Sequence, residues 1–315
     1  MLNIDIVIAG IRITFWTDHQ SDIDLLAEIF LYHIEKRSNR FNSEKQHDVI
    51  IASSKEKLGL PENRPLVWSG YINANTPIQW YNSVDAPENI ITIGDDILIR
   101  HIPQRKLTIC YLSESNALFL KSHRPRLNNY IFFLIHSILP MYGKYCIHAS
   151  CVAKEEHAYL FLGKSGEGKT TISAILGGIG FEYMGDDLVF ISKDEKEGVM
   201  VEAFLSKAKL FNAKFETKDS IDVIKDNHFN YCYRKELGAI LKLQRMYGGK
   251  KSILMPASQA EVFVWLMNSG NNIKIQYNQQ KWMDICEKAS SIPAHTLMFA
   301  DKEYFDPVIF DTVLL

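Results

Sequence analysis

Apolar and polar residues alternate at the start of the chain, in Ile4-Asp5-Ile6-Val7-Ile8 and again in Ile11-Arg12-Ile13-Thr14-Phe15. A period of two predicts two half-buried strands meeting in a hairpin at Ala9-Gly10. The period then lengthens: Ile23, Leu26, Ile29, Phe30 and Ile34 fall on one helical face, with Ser21 and Asp24 placed to cap it. Asp48 to Ala52 and Leu66 to Tyr71 read as short strands, set off by turns at Pro61 to Pro65 and around Pro87. A meander follows in Ile90 to Ile93, Ile97 to Arg100, Leu107 to Leu112 and Ala117 to Leu120. Arg126 to Leu139 predicts a buried helix that stops at Pro140 and Gly143.

Beyond that helix the pattern becomes strand, glycine loop, helix, strand. We therefore expect two domains: a strand-rich α+β one over residues 1–140 and a second over 141–315, with the boundary between about 122 and 145. Cys146 to Ala153 and the residues up to His157 read as two short strands around a charged turn, and Ala158 to Leu162 as a buried strand. Late in the chain, Ser258-Gln259-Ala260-Glu261 has the form of a capping box before Val262 to Met267, and Asn278 opens a helix carrying Trp282, Ile285 and Cys286.

Composition changes this picture little. The chain has 315 residues, enough for two cores, and its 35 basic and 37 acidic residues nearly cancel, so the overall charge favours neither nucleic acid nor an anionic membrane as partner. Five cysteines with no Cys-x-x-Cys pair point away from a disulfide framework and a zinc ribbon and towards a reducing, cytoplasmic setting. No basic segment leads into a long apolar run at the N-terminus, and the apolar stretch Tyr130 to Tyr142 falls short of the about 20 residues a membrane span needs.

The chemistry is concentrated after Leu162. Gly163-Lys164-Ser165-Gly166-Glu167-Gly168-Lys169-Thr170, between a strand and the helical Thr171 to Leu176, matches the phosphate-loop pattern in the context its mechanism requires. Its glycines allow backbone N–H groups to turn inward around a di- or triphosphate, and the helix N-terminus adds partial positive charge. Residues 163–171 are thus the candidate nucleotide-binding set, with Lys169 on the β/γ-phosphates and the Thr170 hydroxyl on Mg²⁺.

Asp186 and Asp187 follow about 17 positions after Lys169. A helix of about ten residues rises ~15 Å, and a turn among Gly177, Gly178 and Gly180 with a returning strand cancels that rise. The two carboxylates would then lie beside the loop, one holding Mg²⁺ and one accepting a proton. Gly94-Asp95-Asp96 provides an internal contrast, since no phosphate loop precedes it and it reads as a solvated hairpin turn.

Ile147-His148-Ala149-Ser150, the loop and Gly185-Asp186-Asp187 together resemble, over about residues 145–270, the catalytic domain of the HPr kinase/phosphorylase family and its peptide-modifying serine-kinase relatives. The resemblance implies a mixed α/β fold whose second domain is of the HPr-kinase and phosphoenolpyruvate-carboxykinase type. It implies use of ATP and Mg²⁺ to phosphorylate a serine hydroxyl of a protein or peptide, or a small alcohol. Asp186 takes the part of proton acceptor, Asp187 that of metal-side carboxylate and His148 that of the loop-facing histidine.

This sequence departs from the family in Val201 to Leu210, which lacks the arginine and glycine of the glutamate-arginine-glycine signature and leaves Glu202 alone as a candidate. The later mobile loop associated with HPr binding and phosphorylase action has no counterpart either. Phosphoenolpyruvate carboxykinase has a similar loop and acidic pair but is much longer. An ATP-binding regulatory module without transfer stays open as a second class. So do a homo-oligomer and the reach of Lys207, Lys209, Arg234 and Arg245 towards substrate.

Overall fold

A computed structural model describes residues 1–34, 45–52, 54–60, 64–73, 76–82, 88–94, 97–112, 131, 133–194, 198–206, 208–212, 217–226, 228–246, 251–270, 279–299, 306 and 308–309. Its contacts divide the chain into two compact units, Met1–Tyr142 and Gly143–Leu315. The fold is mixed α/β.

In the first unit, strands β1 (Leu2–Ile8) and β2 (Ile11–Thr17) form the hairpin that the alternation predicts, pairing Ile8 with Ile11 and turning through Ala9 and Gly10 at positive φ. Helix α1 runs Gln20–Ile29. Ser21 does not cap it: His19 stands at the N-cap with no side-chain bond, while Thr17 donates to the Asp22 carboxylate at 2.6 Å. The helix also ends before Ile34, which bridges Ile6 instead. Tertiary pairing with β1 has outweighed the helical spacing.

The remaining strands of this unit are β3 (Lys45–Ala52), β4 (Leu66–Asn73), β5 (Thr76–Asn82), β6 (Asn89–Ile93), β7 (Ile97–Ile102) and β8 (Leu107–Leu112). They complete an eight-stranded sheet in the order β1-β2-β3-β8-β7-β6-β5-β4. The meander is antiparallel from β4 to β8, whereas β3 lies parallel to both β2 and β8. The expected strand Ala117 to Leu120 and most of the Pro61 to Pro65 turn lie outside the described residues. So does the start of the helix expected from Arg126; residues 133–138 are helical, with Leu134, Ile135 and Ile138 buried.

The second unit contains β9 (Tyr145–Ile147), β10 (Ser150–Lys154), β11 (His157–Leu162), α2 (Lys169–Gly178), β12 (Glu182–Gly185), β13 (Val189–Lys193), β14 (Val199–Ala203), β15 (Ala208–Asn212) and β16 (Thr217–Ile221). After these come β17 (Arg234–Arg245), β18 (Ile253–Pro256), α3 (Gln259–Ser269), α4 (Gln279–Ser290) and β19 (Ala294–Phe299). The main sheet runs β12-β10-β11-β17-β14-β13-β9, with β19 also on β17 and β18 on β19. Among the described strands of this sheet, β11–β17 and β17–β19 pair in parallel and the others antiparallel.

Helix α2 lays Ile172 and Leu176, one turn apart, on a core formed by Val152, Phe161, Ala239, Leu241 and Leu297. A buried bond from Ser173 Oγ to Ser150 Oγ, 2.9 Å, fixes the helix to β10. Burying Ile172 and Leu176 stabilises this arrangement by about 1.5–3 kcal/mol each, so the start of α2 is held firmly against the sheet.

Ser258 and Glu261 make the reciprocal bonds of a capping box at the start of α3, and α4 buries Trp282, Ile285 and Cys286. All five cysteines are free thiols. No helix among the described residues is long and apolar enough to cross a membrane.

Candidate functional site

The segment between β11 and α2 is shaped by two glycines. Gly166 and Gly168 have φ of 90° and 92°, a left-handed backbone that side-chain-bearing residues adopt only with strain. Gly168 stands at the N-cap of α2 with no side-chain bond over the helix end, so the first-turn N–H groups are not capped by a side chain there. Lys169 is only 5% exposed, and its ammonium donates to the carbonyls of Gly163 (2.8 Å) and Lys164 (3.3 Å). The Glu167 carboxylate accepts from the Lys164 N–H, and a Cβ at Gly163 would stand 2.7 Å from its Oε2. Lys169 thus holds the carbonyls of the first two loop residues, and Glu167 the N–H of the second. Lys164, Ser165 and Gly166 are exposed, while Thr170 and Thr171 are half-buried in the first turn.

The acidic pair stands at the end of β12, which reaches the loop strand through β10. The Thr170 hydroxyl lies 2.8 and 2.9 Å from the two oxygens of Asp186, to which it donates, and Asp186 is 4% exposed. The cancellation of helix rise by a returning strand thus brings the loop helix and an aspartate into contact. Asp187 differs in its surroundings: its φ is 64° and it is exposed, while its backbone carbonyl lies 3.0 Å from His148 Nδ1. A carbonyl only accepts, so Nδ1 carries the hydrogen.

His148 occupies the break between β9 and β10, outside either strand, and its N–H donates to the carbonyl of Ser269 at the end of α3 (2.9 Å). Gly185 permits the turn into the pair. A Cβ there would meet the carbonyl oxygens of Leu188 at 2.9 Å and Phe204 at 3.1 Å.

Glu202, the candidate from the Val201 to Leu210 segment, is 2% exposed and is used internally, paired with Lys144 and bonded to Ser192, with Arg234 Nε at 3.8 Å. Burial raises its pKa, and Lys144 opposes the rise. This is the arrangement of a buried structural ion pair. Arg245 is exposed; Lys207 lies outside the described residues, as does the Lys209 side chain. Of the contrasting Gly94-Asp95-Asp96, only Gly94 is described, in the hairpin joining β6 and β7, and the two aspartates fall outside the described residues.

Tyr183 lies in β12, next to the strand end that carries the acidic pair. Its hydroxyl is buried and makes no hydrogen bond among the described residues. Burial first, and then the negative charges of Asp186, Asp187 and Asp222, raise its pKa well above the ordinary value. Asp222 itself is buried and caps a short turn of helix, accepting from the Lys225 N–H at 3.1 Å. No local sequence pattern announces either residue, because both reach this neighbourhood through pairings between distant segments.

Among the described residues no group of three or more His, Cys, Asp or Glu side chains could hold a metal ion. A hydroxyl on a buried carboxylate beside a glycine-rich loop nevertheless suits Mg²⁺, which takes one or two carboxylate or hydroxyl oxygens and completes its shell with phosphate and water.

No protein-family description matches the chain, and no curated protein does. Among solved structures it is similar to the HPr(Ser) kinase/phosphatase from Coxiella burnetii, at 12% identity and a TM-score of 0.33, over 54% of this chain and 87% of that one. A likeness at this level carries no argument about chemistry, which rests on the residues described above.

Proposed function

We propose that this chain binds ATP with Mg²⁺ and transfers the terminal phosphoryl group to an alcohol, either a serine hydroxyl of a protein or peptide or a small molecule. The observation that supports the reading best is the contact of Thr170 with Asp186, which joins the start of the loop helix to the acidic strand end. Loop N–H groups and the ammonium of Lys169 hold the phosphates and neutralise the charge that develops on them. Thr170 and one carboxylate of the acidic pair supply oxygens for the cation, and the other carboxylate accepts the proton of the acceptor hydroxyl. When bound, Mg²⁺ supplies charge neutralisation across the terminal phosphates. His148 orients the pair through the backbone.

Calorimetric titration with Mg²⁺-ATP, followed by label transfer from γ-labelled ATP to serine-bearing peptides and free serine, tests this reading. Saturable binding with transfer is expected. Binding with no transfer to any acceptor would make the chain a nucleotide sensor, and no binding would remove the loop from the account.

A further inference from the structure

The resemblance that places a catalytic aspartate at Asp186 and a metal-side one at Asp187 is at odds with the way the two side chains are held. We infer that the roles are exchanged: Asp186 is the metal-side carboxylate, Asp187 the proton acceptor, and His148 a positioning residue acting on Asp187. This allocation rests on the nucleotide reading above.

Three observations carry it. Asp186 is buried and both of its oxygens are engaged by the Thr170 hydroxyl, the same group the loop offers to a cation, so its carboxylate is committed to the loop side. Its burial and this contact leave it less open than Asp187 to an acceptor arriving from solvent. Asp187, one position later, is exposed. Its backbone has a φ of 64°, and its carbonyl is held by His148 Nδ1–H at 3.0 Å, so this exposed aspartate is fixed by a contact that Asp186 does not share. A left-handed backbone at a non-glycine residue costs about 1 kcal/mol or more, and the histidine bond offsets part of that cost. His148 is itself fixed by its N–H on Ser269, so the direction of Asp187 is set from the end of α3.

In the step this arrangement serves, the acceptor oxygen forms a bond to the terminal phosphorus. The bond from that phosphorus to the bridging oxygen breaks, leaving its electron pair on the departing diphosphate, and the acceptor proton passes to the Asp187 carboxylate.

The test uses the full chain and two independent readouts. Mn²⁺ affinity is measured by electron paramagnetic resonance with a non-hydrolysable ATP analogue present, and phosphate release from γ-labelled ATP is followed with water as acceptor. Asp186→Asn and Thr170→Val are expected to weaken Mn²⁺ binding by about 10–100-fold, with Thr170→Ser restoring it. Asp187→Asn, a residue that tolerates positive φ, is expected to leave Mn²⁺ affinity nearly unchanged while phosphate release falls by about 10²-fold or more. His148→Ala should lower kcat with KM for ATP unchanged, and His148→Asn, which keeps a donor near the Nδ1 position, should recover part of the loss. Equal Mn²⁺ losses from the two aspartate variants, or undiminished release in Asp187→Asn, would overturn the exchange. A wild-type chain that binds no Mn²⁺-nucleotide would overturn the nucleotide reading and this allocation with it.

Discussion

Lys169 illustrates how a single side chain is tied to both fold and site. Its ammonium sits on two loop carbonyls and is almost wholly buried, so the charge is kept inside the loop by backbone oxygens. Lys169→Met preserves the length and the apolar stem but removes those bonds, at a cost to stability of about 1 kcal/mol. Thermal melting should therefore move by only a few degrees, while calorimetric titration should find ATP binding lost. A Met variant with wild-type affinity would mean that the lysine serves the loop and not a phosphate. The loop was legible in the sequence because glycines at fixed spacing leave few alternatives. The different exposure of Asp186 and Asp187 was not, since it arises at a strand end where Asp187 takes a φ of 64° that the sequence does not display and where a histidine is brought from 39 positions away.

At the scale of elements, alternation was informative wherever a strand had one wet face. The β1–β2 hairpin and most of the β6–β8 meander follow it directly, and the capping box marks the start of α3. β5 escaped detection because Pro77, Gln79 and Asn82 dilute the signal of the buried Ile78 and Trp80. β17 escaped because its lysines and glutamates interrupt the apolar run, although Leu237, Ala239, Leu241 and Leu243 are all buried. The end of β12 offers the clearest test at this scale. Gly185→Ala would set a Cβ against two backbone carbonyls, neither of which can swing aside, so β12 must shift and take Asp186 with it. We expect a loss on the order of 2 kcal/mol in denaturant unfolding together with weakened Mn²⁺-nucleotide binding. Gly178→Ala, with nothing within 4 Å of its Cβ, should cost nothing in either assay.

For the molecule as a whole, acid should act first on Met1–Tyr142. In that unit burial pulls His47 down to about 4, His101 to about 3 and His136 to about 4. His47 and His101 share the Thr108 hydroxyl at 2.8 and 2.7 Å. An unfolded histidine takes up a proton near pH 6.5, whereas these three remain neutral in the fold until much lower pH. Their contribution is therefore complete above about pH 6.5 and is lost progressively as pH falls towards 4. By pH 5 each should have cost on the order of 2 kcal/mol. Hydrogen exchange corrected for intrinsic rates should show β3, β7 and β8 losing protection between pH 7.5 and 5, ahead of β10, β11 and β17. Equal loss in both units would show that these histidines are not responsible. The sheet order was beyond sequence reading in both units, because neighbouring strands such as β2 and β3, or β11 and β17, are separated by long intervening segments whose pairing leaves no local trace.

The parallel pairing of β11 with β17 has a consequence for how the protein is made. His157 and Glu236 are neighbours in the sheet, yet 79 positions apart in the chain. A ribosome that has just passed Asp187 has already synthesised the glycine-rich loop, its helix and both aspartates, together with β10 and β11, but none of β17. The core beneath α2 also draws on Ala239, Leu241 and Leu297, which emerge later still. Translation thus delivers the whole sequence signature before part of the surface on which it rests, and ordering of the site is completed late in the birth of the chain.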